Sequence, residues 1–172
     1  LQLQVAHGGA ALGEEELQRS FLAEYVQSVL RFTTNQKRGL EFFLAERRSA
    51  MSYLKLEHTF EDLCAPGSLA KVITNLNRSF AIGAFFDLGI INSQGTQVCY
   101  HGPYDLLGKE YSDQDWFRSV SRRGTFTSDV FLGHRKSPHF VIAHRHDVAN
   151  DDFYILRATV DAEMLSEQLL TG

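Results

Sequence analysis

The densest group of side chains able to do chemistry lies late in the chain: His134, Arg135, Lys136, His139, His144, Arg145 and His146. Strand alternation places His144 and His146 on one face and Arg145 on the other. A pocket on one side of such a strand therefore receives either Arg145 or the two histidines. Arginine there favours an anionic ligand such as a carboxylate, which a guanidinium grips through two parallel hydrogen bonds. His134, His139, His144 and His146 offer a second chemistry, a metal-binding regulatory module, because His-x-His on a strand is workable ligand spacing. No cysteine or clear carboxylate partner accompanies them, which ranks a metal below a small anion. The plain alternative is a solvated hairpin tip with one satisfied histidine.

A second constellation is aromatic. Trp116, the only tryptophan, stands beside Phe117 in a short segment running from Gly108 to Phe131. Ser112 and Asp115 are spaced as a capping-box variant, and Gly124 after Arg122-Arg123 suits a helix C-terminus. A short helix crossing between strands can roof a pocket, with Trp116 and Phe117 lining it; equally, both rings can simply cover a sheet. Tyr100, Tyr104 and Tyr111 flank this segment, as hydrogen-bonding groups or as packing. No Gly-x-Ser-x-Gly, His-Glu-x-x-His or phosphate-cradling glycine loop is present, so neither an enzyme nor a cofactor is indicated for this stretch of chain.

The elements that must position these residues follow from periodicity. Residues 1–13 are small, apolar and glycine-interrupted and are expected to fray. Leu17, Phe21, Tyr25, Val29, Phe32, Gln36, Leu40 and Phe43 then form one stripe at helical spacing, continuing through Met51 and Leu54 to about Phe60. Such a helix measures roughly 65–70 Å, so it must project, break near Gly39, or pair with a second copy, and a homodimer along the stripe is the expectation. Ala65-Pro66-Gly67 ends it, and Ser68 is expected to cap a second helix over residues 68–79. Five strands follow, over 82–92, 96–101, 125–132, 138–147 and 153–160, with the Trp116 helix after the second. Hairpin-length turns at Ser93-Gln94-Gly95 and Ala149–Asp152 make the sheet antiparallel and the class α+β. Asp161 caps a final helix carrying Leu165 and Leu169.

Composition bounds the rest. A net charge of −4 leaves no surplus of cations for nucleic acid. The 172 residues suffice for one substantial domain, expected to span 14–172. No apolar run approaches the ~18–20 residues that span a bilayer, and the chain begins at Leu1, as expected of a fragment from which a membrane anchor was removed. Cys64 and Cys99 fall on different elements and read as two independent buried thiols unless the fold joins them.

With the elements in order, the chain resembles the Cache family, the PAS-like extracytoplasmic sensor domains of bacterial histidine kinases and chemoreceptors. The resemblance rests on a strand–turn–strand hairpin, then GKEYSDQDWF, GTFTSDVF and SPHFVIA, and a last strand ending at Asp161. It implies a five-stranded antiparallel sheet, a long N-terminal helix behind it, and a ligand pocket roofed by residues 102–123. It also implies a periplasmic or extracellular domain of an inner-membrane receptor, most simply a sensor histidine kinase, that senses an organic anion or amino-acid-like metabolite. Trp116 and Phe117 match the aromatic pair of the family's lid helix, but Gln114 stands where amino-acid-binding members carry arginine. Phe131 and Gly133 likewise replace a tyrosine and an aspartate, whereas Asp161 matches. The expected ligand-binding residues are thus Trp116, Phe117, Tyr100, Tyr104, Phe131, Arg145, His144 and Asp161.

Overall fold

A computed structural model describes residues 6–80 and 84–171. The chain divides into two compact units, 1–42 and 43–172. The first consists of the greater part of helix α1 (Ala6–Glu57). Helix begins at Ala6 rather than near residue 14, and it runs through Gly39 without a break. Leu17, Phe21 and Tyr25 are each more than 60% exposed. The side chain of Phe32, on the same stripe, lies outside the described residues.

In the second unit the remainder of α1 ends at Glu57, short of Phe60. Thr59 closes the break as the N-cap of α2 (Phe60–Cys64), in a capping box with Asp62. Helix α3 (Ser68–Arg78) follows, with Gly67 at its N-cap in the left-handed region and no side-chain cap from Ser68. The five strands are β1 (Asp87–Asn92), β2 (Gln97–His101), β3 (Thr125–Thr127), β4 (His139–Asp147) and β5 (Phe153–Asp161). They form one antiparallel sheet in the order β2-β1-β5-β4-β3. Helix α4 (Asp115–Arg123) lies between β2 and β3, and α5 (Ala162–Thr171) follows β5 directly.

Alternation along the central strands builds two cores. On one face Leu88, Ile90, Phe140, Ile142, Leu156 and Ala158 pack with Phe43, Met51, Leu54, Leu63, Val72 and Leu165 from the helices. On the other, Ile91, Val141, Ala143 and Ile155 meet Trp116, Phe117 and Val120 of α4, and Tyr111. The sheet is therefore buried on both sides, and β4 and β5 are buried along nearly their whole length.

Three expectations are corrected here. The first strand begins at Asp87; Ile82 and Gly83 lie outside the described residues. The third strand stops at Thr127 rather than Leu132, because the Ser128 hydroxyl takes the Val141 amide hydrogen at 2.8 Å in place of a backbone carbonyl. The Ser128 amide still donates to the Val141 carbonyl at 2.9 Å, and the chain pairs with β4 again at Phe131, through paired backbone bonds to His139. Finally, Cys64 and Cys99 are not independent thiols: they form a disulfide joining α2 to the edge strand β2, with 5.6 Å between Cα atoms. The crosslink closes a loop of 35 residues, and its removal in a Cys64→Ser, Cys99→Ser variant is expected to cost about 4 kcal/mol in chemical denaturation. An unchanged denaturation midpoint would show that the crosslink constrains nothing.

Candidate functional site

Register on the lid face brings the site together. Thr159 sits between Asp87 and Val141, and Arg157 between Gly89 and Ala143, while His139 pairs with Asp161 at the end of β4. Because side chains alternate, Asp87, Arg157, Thr159, His139 and Asp161 all stand on the face that α4 covers. A Cβ at Gly89 would fall 2.9 Å from the Gln97 side-chain oxygen, so glycine there admits Gln97 over the sheet. Gln97 donates to the Leu106 carbonyl at 3.0 Å and accepts from Arg157 at 3.4 Å.

These polar residues form a connected network beneath the lid. Asp87, fully buried, accepts from the Thr159 hydroxyl at 2.7 Å and the Tyr100 hydroxyl at 3.2 Å, with Arg157 Nη1 at 3.5 Å. Thr159 in turn accepts from Arg135 Nη1 at 2.7 Å. Arg135 comes from a 3₁₀ turn (Gly133–Arg135), and its guanidinium lies 4.5 Å from the Phe86 ring centre and 4.8 Å from that of Tyr104. Its Nη2 is 3.8 Å from Asp161. The other duty of Asp161 is the one its position predicts: one carboxylate oxygen accepts from the Glu163 and Met164 amides at 3.0 Å each, capping α5.

Helix α4 closes the top. It begins at Asp115 with Gln114 at the N-cap and no side-chain cap, so the Ser112–Asp115 capping box does not form. Asp115 instead pairs with Arg118 at 2.6 Å. Ser112 packs against Gly95, whose φ of +99° no other residue adopts easily. Trp116 and Phe117 are both buried, and Trp116 meets Tyr111 edge-on at 5.3 Å. Below them lies a cavity of about 10 Å³ lined by Tyr111, Gln114, Trp116, Phe131, Gly133, His134, Arg135, His139 and Arg157. That volume is room for a single water, far below the ~300–1,000 Å³ of a typical metabolite pocket.

Burial shapes the protonation here. It pushes the Tyr111 hydroxyl up and holds the His139 imidazole down, with Arg135 and Arg157 adding repulsion. His139 Nδ1 lies 2.8 Å from the Ser137 carbonyl, an acceptor only, so that nitrogen carries the hydrogen. Burial beside Asp87 also pushes up the Tyr100 hydroxyl.

The expected site residues divide into three groups. Trp116 and Phe131 line the cavity; Phe117 backs the lid without lining it. Tyr100, Tyr104 and Asp161 stand one layer out, holding Asp87, Arg135 and α5 respectively. Arg145 and His144 are elsewhere. Arg145 is on the lid side but at its rim, stacked 4.1 Å over Phe153 and bonded to the Ser121 carbonyl and Asp147. His144 faces the helices, 3.3 Å from the Ser52 hydroxyl, and His146 beside it bonds the Tyr154 hydroxyl at 3.0 Å. The four histidines therefore lie on opposite faces, and among the described residues no three metal-ligating side chains converge.

Sequence reasoning missed Arg157 as the central cation and Asp87 as its partner. A signal existed: each is a lone charge inside an apolar strand, and opposite charges so placed must find each other.

No family model and no curated protein sequence matches the chain. Solved structures do. The ligand-binding domain of the Campylobacter jejuni chemoreceptor Tlp3 in complex with L-valine superposes with a TM-score of 0.62 at 11% identity, covering 88% of this chain and 65% of that one. An extracellular ligand binding receptor from Desulfohalobium retbaense gives 0.61 at 11% identity, over 79% and 25% of the two chains. The extracellular domain of vpHK1S-Z8, assigned as a histidine kinase, gives 0.59 at 15% identity, over 86% and 61%. The chain thus spans between a quarter and two thirds of the length of these structures. With its long N-terminal helix, five-stranded antiparallel sheet and roofing helix, the chain has the fold of the Cache-type extracellular sensor domains of chemoreceptors and histidine kinases.

Proposed function

We propose that this chain is the extracytoplasmic small-molecule-sensing domain of a membrane-anchored receptor, a histidine kinase, that binds an organic anion or amino-acid-like metabolite under α4. The observation that carries this reading is the roofed polar cavity, where Arg135, Arg157 and Tyr111 present hydrogen-bonding groups beneath the Trp116 indole. The Cys64–Cys99 disulfide supports an oxidising compartment outside the cytoplasm. Among the described residues no helix is long and apolar enough to cross a membrane.

Transmission has a physical route in this reading. A ligand that draws Arg135 toward the cavity weakens its pull on Asp161, the residue that caps α5. Ligand binding thereby biases the start of the C-terminal helix. The exposed α1 stripe of Leu17, Phe21 and Tyr25 is the proposed homodimer seam. Sedimentation of a Phe21→Glu, Tyr25→Glu variant is expected to give a monomer; an unchanged dimer would remove the seam from the account.

The sensing claim is tested by a thermal screen of the domain against amino acids, amines and carboxylates, read beside Trp116 emission. A ligand at a hundred times its Kd adds about 2.7 kcal/mol, hence several degrees in Tm, and shifts the emission of the one tryptophan. A metabolite that raises Tm with Trp116 silent would place the site elsewhere.

A further inference from the structure

Among the described residues, the buried polar atoms left without a hydrogen-bond partner beneath the lid can all donate; His139, with its hydrogen on Nδ1, adds one uncharged ring nitrogen as an acceptor in the cavity wall. Arg135 is 6% exposed and Arg157 2%, yet among the described residues Arg135 Nε and Nη2, Arg157 Nε and the Tyr111 hydroxyl have no hydrogen-bond partner, Nη2 meeting Asp161 only as an ion pair at 3.8 Å. A buried guanidinium N–H left without an acceptor is costly, so a guest with acceptor oxygens is strongly favoured at this point. Carboxylates that could instead receive an ammonium group are already committed. Both oxygens of Asp87 are taken by Thr159, Tyr100 and Arg157. Asp161 is bound to the first amides of α5 and lies beyond Arg135.

Charge points the same way. Arg135 and Arg157 are balanced by Asp161 and Asp87, so the network is neutral overall, and its free donors suit a single negative charge better than two. Trp116 and Phe131 offer an apolar wall for a short carbon tail. We infer that the cavity takes a short monocarboxylate that carries no α-amino group, its oxygens shared between Arg135, Arg157 and Tyr111. This rests on the sensing reading and narrows its ligand class. It also separates this chain from the chemoreceptor domain that superposes on it with L-valine bound. Because the present space is about 10 Å³, such a guest enters only as α4 lifts, which couples occupancy to lid position.

Calorimetry of the domain in a carboxylate-free buffer with propionate and with L-alanine isolates the amino group, since the two differ only there. Propionate is expected to bind at least tenfold more tightly, and Tyr111→Phe to weaken it about five- to tenfold while leaving the fold intact. Arg135→Gln, checked for folding by circular dichroism, is expected to abolish propionate binding. Alanine binding as tightly as propionate overturns the inference and leaves the sensing reading standing. So does propionate failing while another compound from the thermal screen binds. If nothing in the screen binds, both fall together.

Discussion

Replacing Arg157 by methionine is expected to destabilise the domain by about 3–5 kcal/mol, the usual cost of stripping one partner from a buried ion pair. The reason lies in Asp87. It is fully buried, Arg157 is, among the described residues, the cation in an ion pair with it, and the hydroxyls of Thr159 and Tyr100 supply hydrogen bonds but no charge. Methionine keeps much of the volume of the arginine stem, so the loss reports the orphaned carboxylate rather than a cavity. Adding Asp87→Asn to the same chain is expected to recover more than half of the loss, because a neutral amide still meets both hydroxyls. Urea denaturation of the wild type, the single variant and the double variant measures this. A single-variant loss below about 1 kcal/mol, with no recovery, would mean that the pair does not hold the lid face together.

Acid is expected to unfold the domain early, through the opposite face. Burial pulls His144 down to about 4, with Lys55 and Arg48 adding repulsion. Burial likewise pulls His146 down to about 4, with Lys55 and His144 repelling it and Asp147 partly offsetting them. In the unfolded chain both imidazoles protonate near an ordinary value of about 6.5. Between about pH 6.5 and 4 the unfolded chain therefore holds more protons than the folded one, and stability falls as pH falls. Each histidine can contribute on the order of 3 kcal/mol of that loss; as neighbours that repel each other, they titrate as a pair. Denaturation midpoints of the wild type are expected to drop steadily over this range, while a His144→Gln, His146→Phe variant declines less steeply. Parallel curves for the two proteins would place the acid sensitivity in other groups.

Much of the architecture is legible in the sequence because it rests on local chemistry. The turns at Ser93–Gly95 and Asn150–Asp152 force antiparallel neighbours, the α1 stripe has helical spacing, and Asp161 caps the helix that follows it. Tertiary contacts decide what is less legible. Alternation shows that His144 and His146 share a face, but a sheet covered on both sides offers no polarity by which to choose it. The run from Thr125 to Leu132 has strand composition, yet one hydroxyl, that of Ser128, displaces the ladder after three residues. Arg135 sits among basic residues that look solvated, and only the fold carries its guanidinium between Phe86 and Tyr104. Arg145, the sequence's choice of anion-binding arginine, meets nearer partners at the rim in Ser121 and Asp147. The disulfide depends on α2 reaching the edge strand, a contact 35 residues apart in sequence.

The lid over Trp116 follows the same division. Its tryptophan marks the position of the roof, while the chemistry beneath comes from the central strand and its neighbour, Arg157 and Thr159 from β5 and Asp87 from β1. A crystal structure of the domain grown with the tightest compound from the thermal screen tests the account most directly. That compound is expected beneath α4, within hydrogen-bonding distance of Arg157 Nε and Arg135, with the space under Trp116 enlarged well beyond its present ~10 Å³. The compound bound anywhere else, with α4 still closed on that space, would contradict it.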